Sequence, residues 1–248
     1  MRSMRGDFEI YLTERPMFGR PFGLKELIRL EKDAGMDFAV VMPAPTTHPD
    51  NFGLLKKLKD VKQFLPCPCI NPNLGKDALV ELQTLVKKHR VRAIKLQPTF
   101  HGYIVCDAVV NPVMEAAAKA RLIVNIHSGT HGCTPSEIGL LADRFPDVPI
   151  IMDHMGHRWY VPEAVLVAKK WPNVYLGTTI ANHEPCMIHD AWKQVGAEKI
   201  VFGSNAPGAF PDLCVAHIRR MGLPKKDEAA ILGENLAKLY GVSREDFR

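Results

Sequence analysis

Leu122-Ile123-Val124-Asn125-Ile126-His127, followed by Ser128-Gly129-Thr130, is a short apolar run that stops in a histidine and a turn. A nearly continuous apolar run of this length is what a parallel strand needs when both of its faces are covered. Helical patterns flank it, Ala116 to Ala120 before and Ile138-Leu141 after, and the next apolar run is Pro149 to Asp153. The same alternation continues outward in both directions. Further strands are expected at Phe8 to Leu12, Phe38 to Met42, Phe64 to Ile70, Ala93 to Gln97, Val174 to Thr178 and Ile200 to Phe202. Helical spacing links Leu24-Leu27-Ile28-Leu30-Glu31, Leu79-Leu82-Leu85-Val86, Ala164-Val165-Ala168, Ala191-Val195 and Ile231-Leu232-Leu236-Leu239.

Eight strands alternating with about eight helices predict an α/β protein, a (β/α)8 TIM barrel. An open doubly wound sheet is the alternative, but it calls for a Gly-rich turn after the first strand, and Thr13-Glu14-Arg15-Pro16 is no such turn. The length of 248 residues would also allow two smaller domains. No linker, composition break or charge block divides the chain, so one barrel domain over residues 1–248 is expected.

A hydrophobic fraction of 46% with 24% charged residues is ordinary for a globular protein. No stretch approaches the length of a membrane span, and the arginines near the start precede no apolar segment, so a cytoplasmic protein is expected. The net charge of +5 is spread along the chain without aromatic interleaving, which argues against a nucleic-acid partner. Six cysteines in a chain this long do not form a disulfide scaffold, and reduced, mostly buried thiols are expected.

In parallel barrels, chemistry collects at the carboxyl ends of the strands. Glu9 and Tyr11 share one face of the first strand, and Lys95 and Gln97 share one face of the fourth. His127 closes the fifth strand, Asp153-His154-Met155-Gly156-His157 the sixth, Thr178-Thr179 the seventh and Gly203-Ser204-Asn205-Ala206-Pro207 the last. A strand-end histidine is commonly a hydrogen-bonded structural residue, and Asn205 could be a turn residue. A lysine and a glutamate inside strands are harder to dismiss, because a buried charge needs a partner, and Glu9 and Lys95 could simply pair. His48, His89, His189 and His217 fall in loops or helical patterns and read as surface or core residues.

Taken together, Gly35 to Pro43, Ala93 to Pro98, Ile123 to His127, Asp153 to Gly156, Phe202 to Pro207 and Ile231 to Ala237 resemble, in order, the amidohydrolase-related (amidohydrolase 2) family, in its branch containing aminocarboxymuconate-semialdehyde decarboxylase. The resemblance implies a barrel with one divalent metal, held in the family by a first-strand Asp-Phe-His-x-His, a fifth-strand His and a last-strand Asp. Here Asp7-Phe8 is followed by Glu9-Ile10-Tyr11, and Asn205 stands at the place of the Asp. The phenol of Tyr11 must ionise to bind zinc, and Asn205 offers a neutral oxygen without charge. On the family pattern, Glu9 and His127 are the expected metal ligands and His154 and Asn205 expected catalytic residues; Lys95, an ionisable residue inside a strand, is expected to act with them. Tyr11, Gln97 and Arg158 are expected to touch substrate.

The resemblance, with these departures, implies a degenerate site whose zinc or manganese is weakly bound or absent. Its expected work is hydrolysis, or decarboxylation, of a small carboxylated or cyclic compound. A metal-free variant would use His154 as acid or base and Lys95 to stabilise negative charge. The alternative is a barrel that has lost catalysis and binds a ligand. A homodimer is the expected assembly, and the loops holding Thr46-Thr47-His48 and Ala181-Asn182-His183 are expected to shape the mouth.

Overall fold

A computed structural model describes residues 2–16, 22–179 and 184–247. Its strands, in chain order, are β1 (Gly6–Leu12), β2 (Phe38–Pro43), β3 (Phe64–Pro66), β4 (Cys69–Ile70), β5 (Ala93–Leu96), β6 (Ile123–Ile126), β7 (Ile150–Met152), β8 (Val174–Gly177) and β9 (Ile200–Val201). All pair in parallel with their sequence neighbours, in the orders β1-β2-β3 and β4-β5-β6-β7-β8-β9. The expected third strand, Phe64 to Ile70, is therefore interrupted. Pro66 and Pro68 have no N–H to donate, which breaks the ladder. Cys67 N still donates to Val41 O (2.8 Å) and Lys95 N to Pro68 O (2.8 Å), so the segment bridges β2 and β5 across the break.

Closure comes at the other seam. Phe8 N donates to Phe202 O (3.0 Å), Asn205 N to Glu9 O (2.9 Å) and Tyr11 N to Ala206 O (2.7 Å). Those bonds extend β9 beyond Val201 and join it to β1, completing the expected α/β barrel.

The helices are α1 (Leu24–Asp33), α2 (Asn51–Leu58), α3 (Lys76–His89), α4 (Pro98–His101), α5 (Asn111–Ala120), α6 (Pro135–Arg144), α7 (His157–Lys170), α8 (Pro185–Val195), α9 (Pro211–Arg220), α10 (Lys225–Ala229) and α11 (Asn235–Tyr240). Four of them, α2, α4, α9 and α10, lie where the apolar spacing predicts no helix. The longest of these, α9, buries Pro211, Cys214, Val215 and Ile218 at helical spacing, and α2 buries Leu54 and Leu58. No described helix is long and apolar enough to cross a membrane. The six cysteines are free thiols, four of them buried, with Cys106 half-buried and Cys186 exposed.

Two apolar layers result. Ile94, Leu96, Val124 and Ile126 face the helices, while Phe8, Phe38, Ala93, Ile123, Ile151 and Val201 fill the barrel interior. The register of β1 shifts between Asp7 and Ile10, and this irregularity lets Phe8 pack inside directly below Glu9. Room for the Phe8 ring exists only because the neighbouring strands carry glycine: a Cβ at Gly177 or Gly203 would lie 2.3 or 2.4 Å from it. Above Phe8 the interior stops being apolar.

Candidate active site

Inward positions one step further along the strands hold Glu9, Lys95, Gln97, Asp153, His154 and Thr179, all buried, with Tyr11, His127 and Asn205 half-buried. Lys95 has no exposed surface. Its ammonium donates to Glu9 Oε1 at 2.9 Å and makes an ion pair with Asp153 Oδ2. The Glu9 carboxylate is otherwise filled as well. Tyr11 Oη donates to its Oε1 at 2.6 Å and Thr179 Oγ1 to its Oε2 at 2.7 Å. Burial alone would push Glu9 up, but Lys95, His154 and these hydrogen bonds hold it at about 2. Asp153 Oδ1 is buried without a hydrogen-bond partner among the described residues.

His154 is positioned by a strained turn. It has φ +60° and Met155 φ +49°, left-handed values that a side-chain-bearing residue adopts only when its surroundings impose them. Ser128, from the loop after β6, imposes them by donating to Asp153 O while its hydroxyl accepts from Gly156 N (2.9 Å). Gly129 of that loop lies so close that a Cβ on it would meet Gly156 O at 2.4 Å.

The hydrogen-bond pattern assigns the tautomers. Thr179 gives its only hydroxyl hydrogen to Glu9, so at 2.8 Å it must accept from His154 Nδ1–H. His154 Nε2 then carries the lone pair and accepts from His127 Nδ1–H at 3.0 Å. What remains is His127 Nε2, which bears a lone pair and has no hydrogen-bond partner among the described residues. Burial, followed by the charges of His154 and Lys95, lowers His127 to about 2. Burial lowers His154 to about 4, against the pull of Glu9. Both rings are neutral at ordinary pH, so the hydrogen-bonded chain runs from Glu9 through Thr179 and His154 to an open imidazole nitrogen.

Other expected site residues are placed less centrally. Gln97 donates to Tyr11 Oη (3.2 Å), and its own Oε1 is buried without a partner among the described residues. Asn205 has φ +66°, in the segment after β9 that hydrogen-bonds to β1, which accounts for asparagine as a backbone requirement. Arg158 is exposed at the start of α7 and pairs with Glu184 at 3.1 Å. Thr46 to His48 are tied down through Asn71 and His101, whereas Ala181-Asn182-His183 lie outside the described residues. Clefts of about 220 Å³ and 520 Å³ flank this end of the barrel, the first lined by Thr13, Pro43 and His48, the second by Thr99, Tyr103 and Thr130.

Asp153 and Thr179 are visible in the sequence as strand ends, but nothing there assigns them a role. A signal is present for Asp153: a buried lysine on β5 needs more than one acceptor, and this aspartate ends a strand that lines the same interior.

Glu9, Asp153 and His154 place ligand atoms within 4.8 Å of one another, a spacing that could hold a metal ion. As arranged, the donors do not fit one. The cation position between the two carboxylates is filled by Lys95, Glu9 accepts three hydrogen bonds, and both ring nitrogens of His154 are engaged.

A closed parallel barrel with an ionic and imidazole cluster at its carboxyl end is the architecture of metal-dependent-hydrolase-type barrels. The amidohydrolase family model matches residues 14–242, and the chain belongs to that family. No curated protein sequence matches it significantly. Among solved structures, 5-carboxyvanillate decarboxylase from Sphingomonas paucimobilis superposes with a TM-score of 0.78 at 15% identity, over 98% of this chain and 100% of that one. A dihydroxybenzoic acid decarboxylase from Polaromonas sp. JS666, with bound manganese and the inhibitor 2-nitroresorcinol, gives 0.75 at 16% identity, over 97% of each chain. A Pseudomonas putida protein, provisionally described as a 2-pyrone-4,6-dicarboxylic acid hydrolase, gives 0.72 at 16%, over 97% and 98%. At these identities the likeness carries the fold.

Proposed function

We propose that the chain, as one barrel unit, is a hydrolase that opens an ester or lactone bond in a small carboxylated cyclic compound. The observation that carries this reading is the lone pair of His127 Nε2, unpartnered among the described residues, at the end of the Glu9–Thr179–His154 chain. A neutral imidazole at the mouth takes a proton from water and does not supply one. Hydrolysis needs that base at its first step, whereas decarboxylation of a ring needs an acid to protonate carbon.

As water attacks the carbonyl carbon, His127 Nε2 accepts its proton and His127 Nδ1–H passes to His154 Nε2. The resulting imidazolium is stabilised by Glu9 through Thr179, much as a buried carboxylate steadies the base in hydrolytic triads. The ring C–O bond then breaks and the proton returns along the same path to the leaving oxygen. Tyr11 and Gln97, hydrogen-bonded to each other, would orient substrate, and Asn205 would donate to the carbonyl oxygen. Arg158 would meet a substrate carboxylate by exchanging Glu184 for it.

The test is turnover of a panel of pyrone, lactone and phenolic ester carboxylates, beside hydroxybenzoates, by the full chain and by His127→Ala. Hydrolysis that is lost in the variant supports the reading. Release of carbon dioxide from the hydroxybenzoates, or hydrolysis that is indifferent to His127, overturns it. The alternative, ligand binding without turnover, draws on Tyr11 and Asn205 standing where the family pattern has metal ligands, and predicts a ligand-dependent rise in Tm with no product.

A further inference from the structure

We infer that Lys95 is a built-in cation: its ammonium fills the place between Glu9 and Asp153 that a divalent ion would take, and it masks a latent metal site made by those two carboxylates and His154. The inference deepens the hydrolase reading above and rests on it only for what the site does, not for what the site holds.

Lys95 reaches this place by register. It pairs with Cys69 of β4 and Asn125 of β6, and its stem rises inside the barrel to bring Nζ against both carboxylates. A buried ammonium with two carboxylate acceptors is compensated, whereas a dication added beside it would face an uncompensated like charge in a medium of low polarity. Without the lysine side chain, two carboxylates and an imidazole with ligand atoms within 4.8 Å would remain, an oxygen-and-nitrogen set suited to manganese or zinc. His154 would ligate by giving up the Thr179 bond at Nδ1, which lies 3.7 Å from Glu9 Oε2, with His127 still hydrogen-bonded to Nε2, and Asp153 Oδ1, without a partner among the described residues, would be free to ligate. The exchange has a chemical consequence. An ammonium balances charge as an ion does but cannot take a water molecule as ligand and acidify it, so water activation falls to His127.

The experiment uses the full chain, wild type and Lys95→Ala, each incubated with excess manganese or zinc and passed through metal-free buffer before elemental analysis. The wild type is expected to retain essentially none and the variant close to one ion per chain, with an affinity gain of ~100-fold or more by calorimetry. A wild-type chain that retains close to one ion, or a folded variant that retains none, overturns the inference. Should Lys95→Ala not fold, the wild type alone decides through the 15N resonance of the Lys95 ammonium. That signal stays sharp under excess manganese if no ion enters the cluster and broadens away if one does. Metal-free wild type that hydrolyses nothing defeats the hydrolase reading and leaves this inference standing. Metal-loaded wild type that hydrolyses lactones does the reverse.

Discussion

Two pairs of buried acids, one inside the barrel and one between the barrel and its helices, meet opposite fates. Inside, Glu9 and Asp153 share the Lys95 ammonium, and Glu9 is held far below its ordinary range. Outside, Asp7 of β1 and Glu31 of α1 are as thoroughly buried, with no cation against them among the described residues. Burial pushes Asp7 up to about 7, although it accepts hydrogen bonds from Ser204 N and Glu9 N. Glu31 has no hydrogen-bond partner on either oxygen among the described residues, and burial together with the nearby Asp7 raises it well above the usual glutamate value. Equal burial thus goes with opposite shifts, Glu9 down and Asp7 and Glu31 up, and the ammonium beside Glu9 makes the difference.

That contrast is broken most directly at its centre. Lys95→Met should leave two carboxylates without a counter-charge and lower stability by about 3–5 kcal/mol in chelator, measured by urea unfolding. Added manganese should recover part of the loss. If the variant unfolds at the same urea concentration as the wild type, the ammonium is not what compensates Glu9.

At the mouth, His127→Ala removes the open base without touching the ion pairs. Turnover should fall ~10²–10⁴-fold, with stability changed by less than about 1 kcal/mol. A smaller effect is expected of Thr179→Val, which deletes the hydroxyl that aligns His154 with Glu9. The variant should lose about tenfold in kcat/KM, and Thr179→Ser should restore most of it. In the wild type, the acid limb of the kcat/KM profile should lie near His154's value of about 4, well below that of an ordinary histidine.

The smallest effect concerns the outer pair and sharpens the comparison from the other side. A carboxyl whose pKa rises on folding holds its proton more tightly folded than unfolded. It therefore favours the fold below the ordinary glutamate value and loses that contribution as pH rises. Glu31→Gln should remove Glu31's share of this dependence, leaving that of Asp7, and flatten the fall in Tm between pH 5 and pH 8 by about 3 °C. A wild type whose Tm does not decline over that range would place Glu31 among the ionised acids.

Legibility in the sequence tracks the range of the interactions. The strands are legible as apolar runs because burial on both faces leaves a local mark, and the family resemblance agrees with them. Broken β3 and β4 look like one strand in the sequence, since two prolines interrupt the ladder without altering the apolar pattern. Glu9, Lys95, His127 and His154 stand out because ionisable groups at strand positions need an explanation. The separations in sequence show why their partners do not: Lys95 meets Glu9 across 86 residues, and Thr179 meets Glu9 across 170. No local pattern records such a meeting.

By itself, the sequence determined the barrel and the end of it that carries polar chemistry, because strand periodicity and burial are properties of adjacent residues. Only the tertiary structure decided that Asp153 completes the ion pair, that Thr179 sets the tautomers and that Arg158 is engaged by Glu184. Those outcomes depend on closure of the barrel between β1 and β9, which brings the first and last strands within hydrogen-bond reach and makes one charged cluster from residues scattered along the chain.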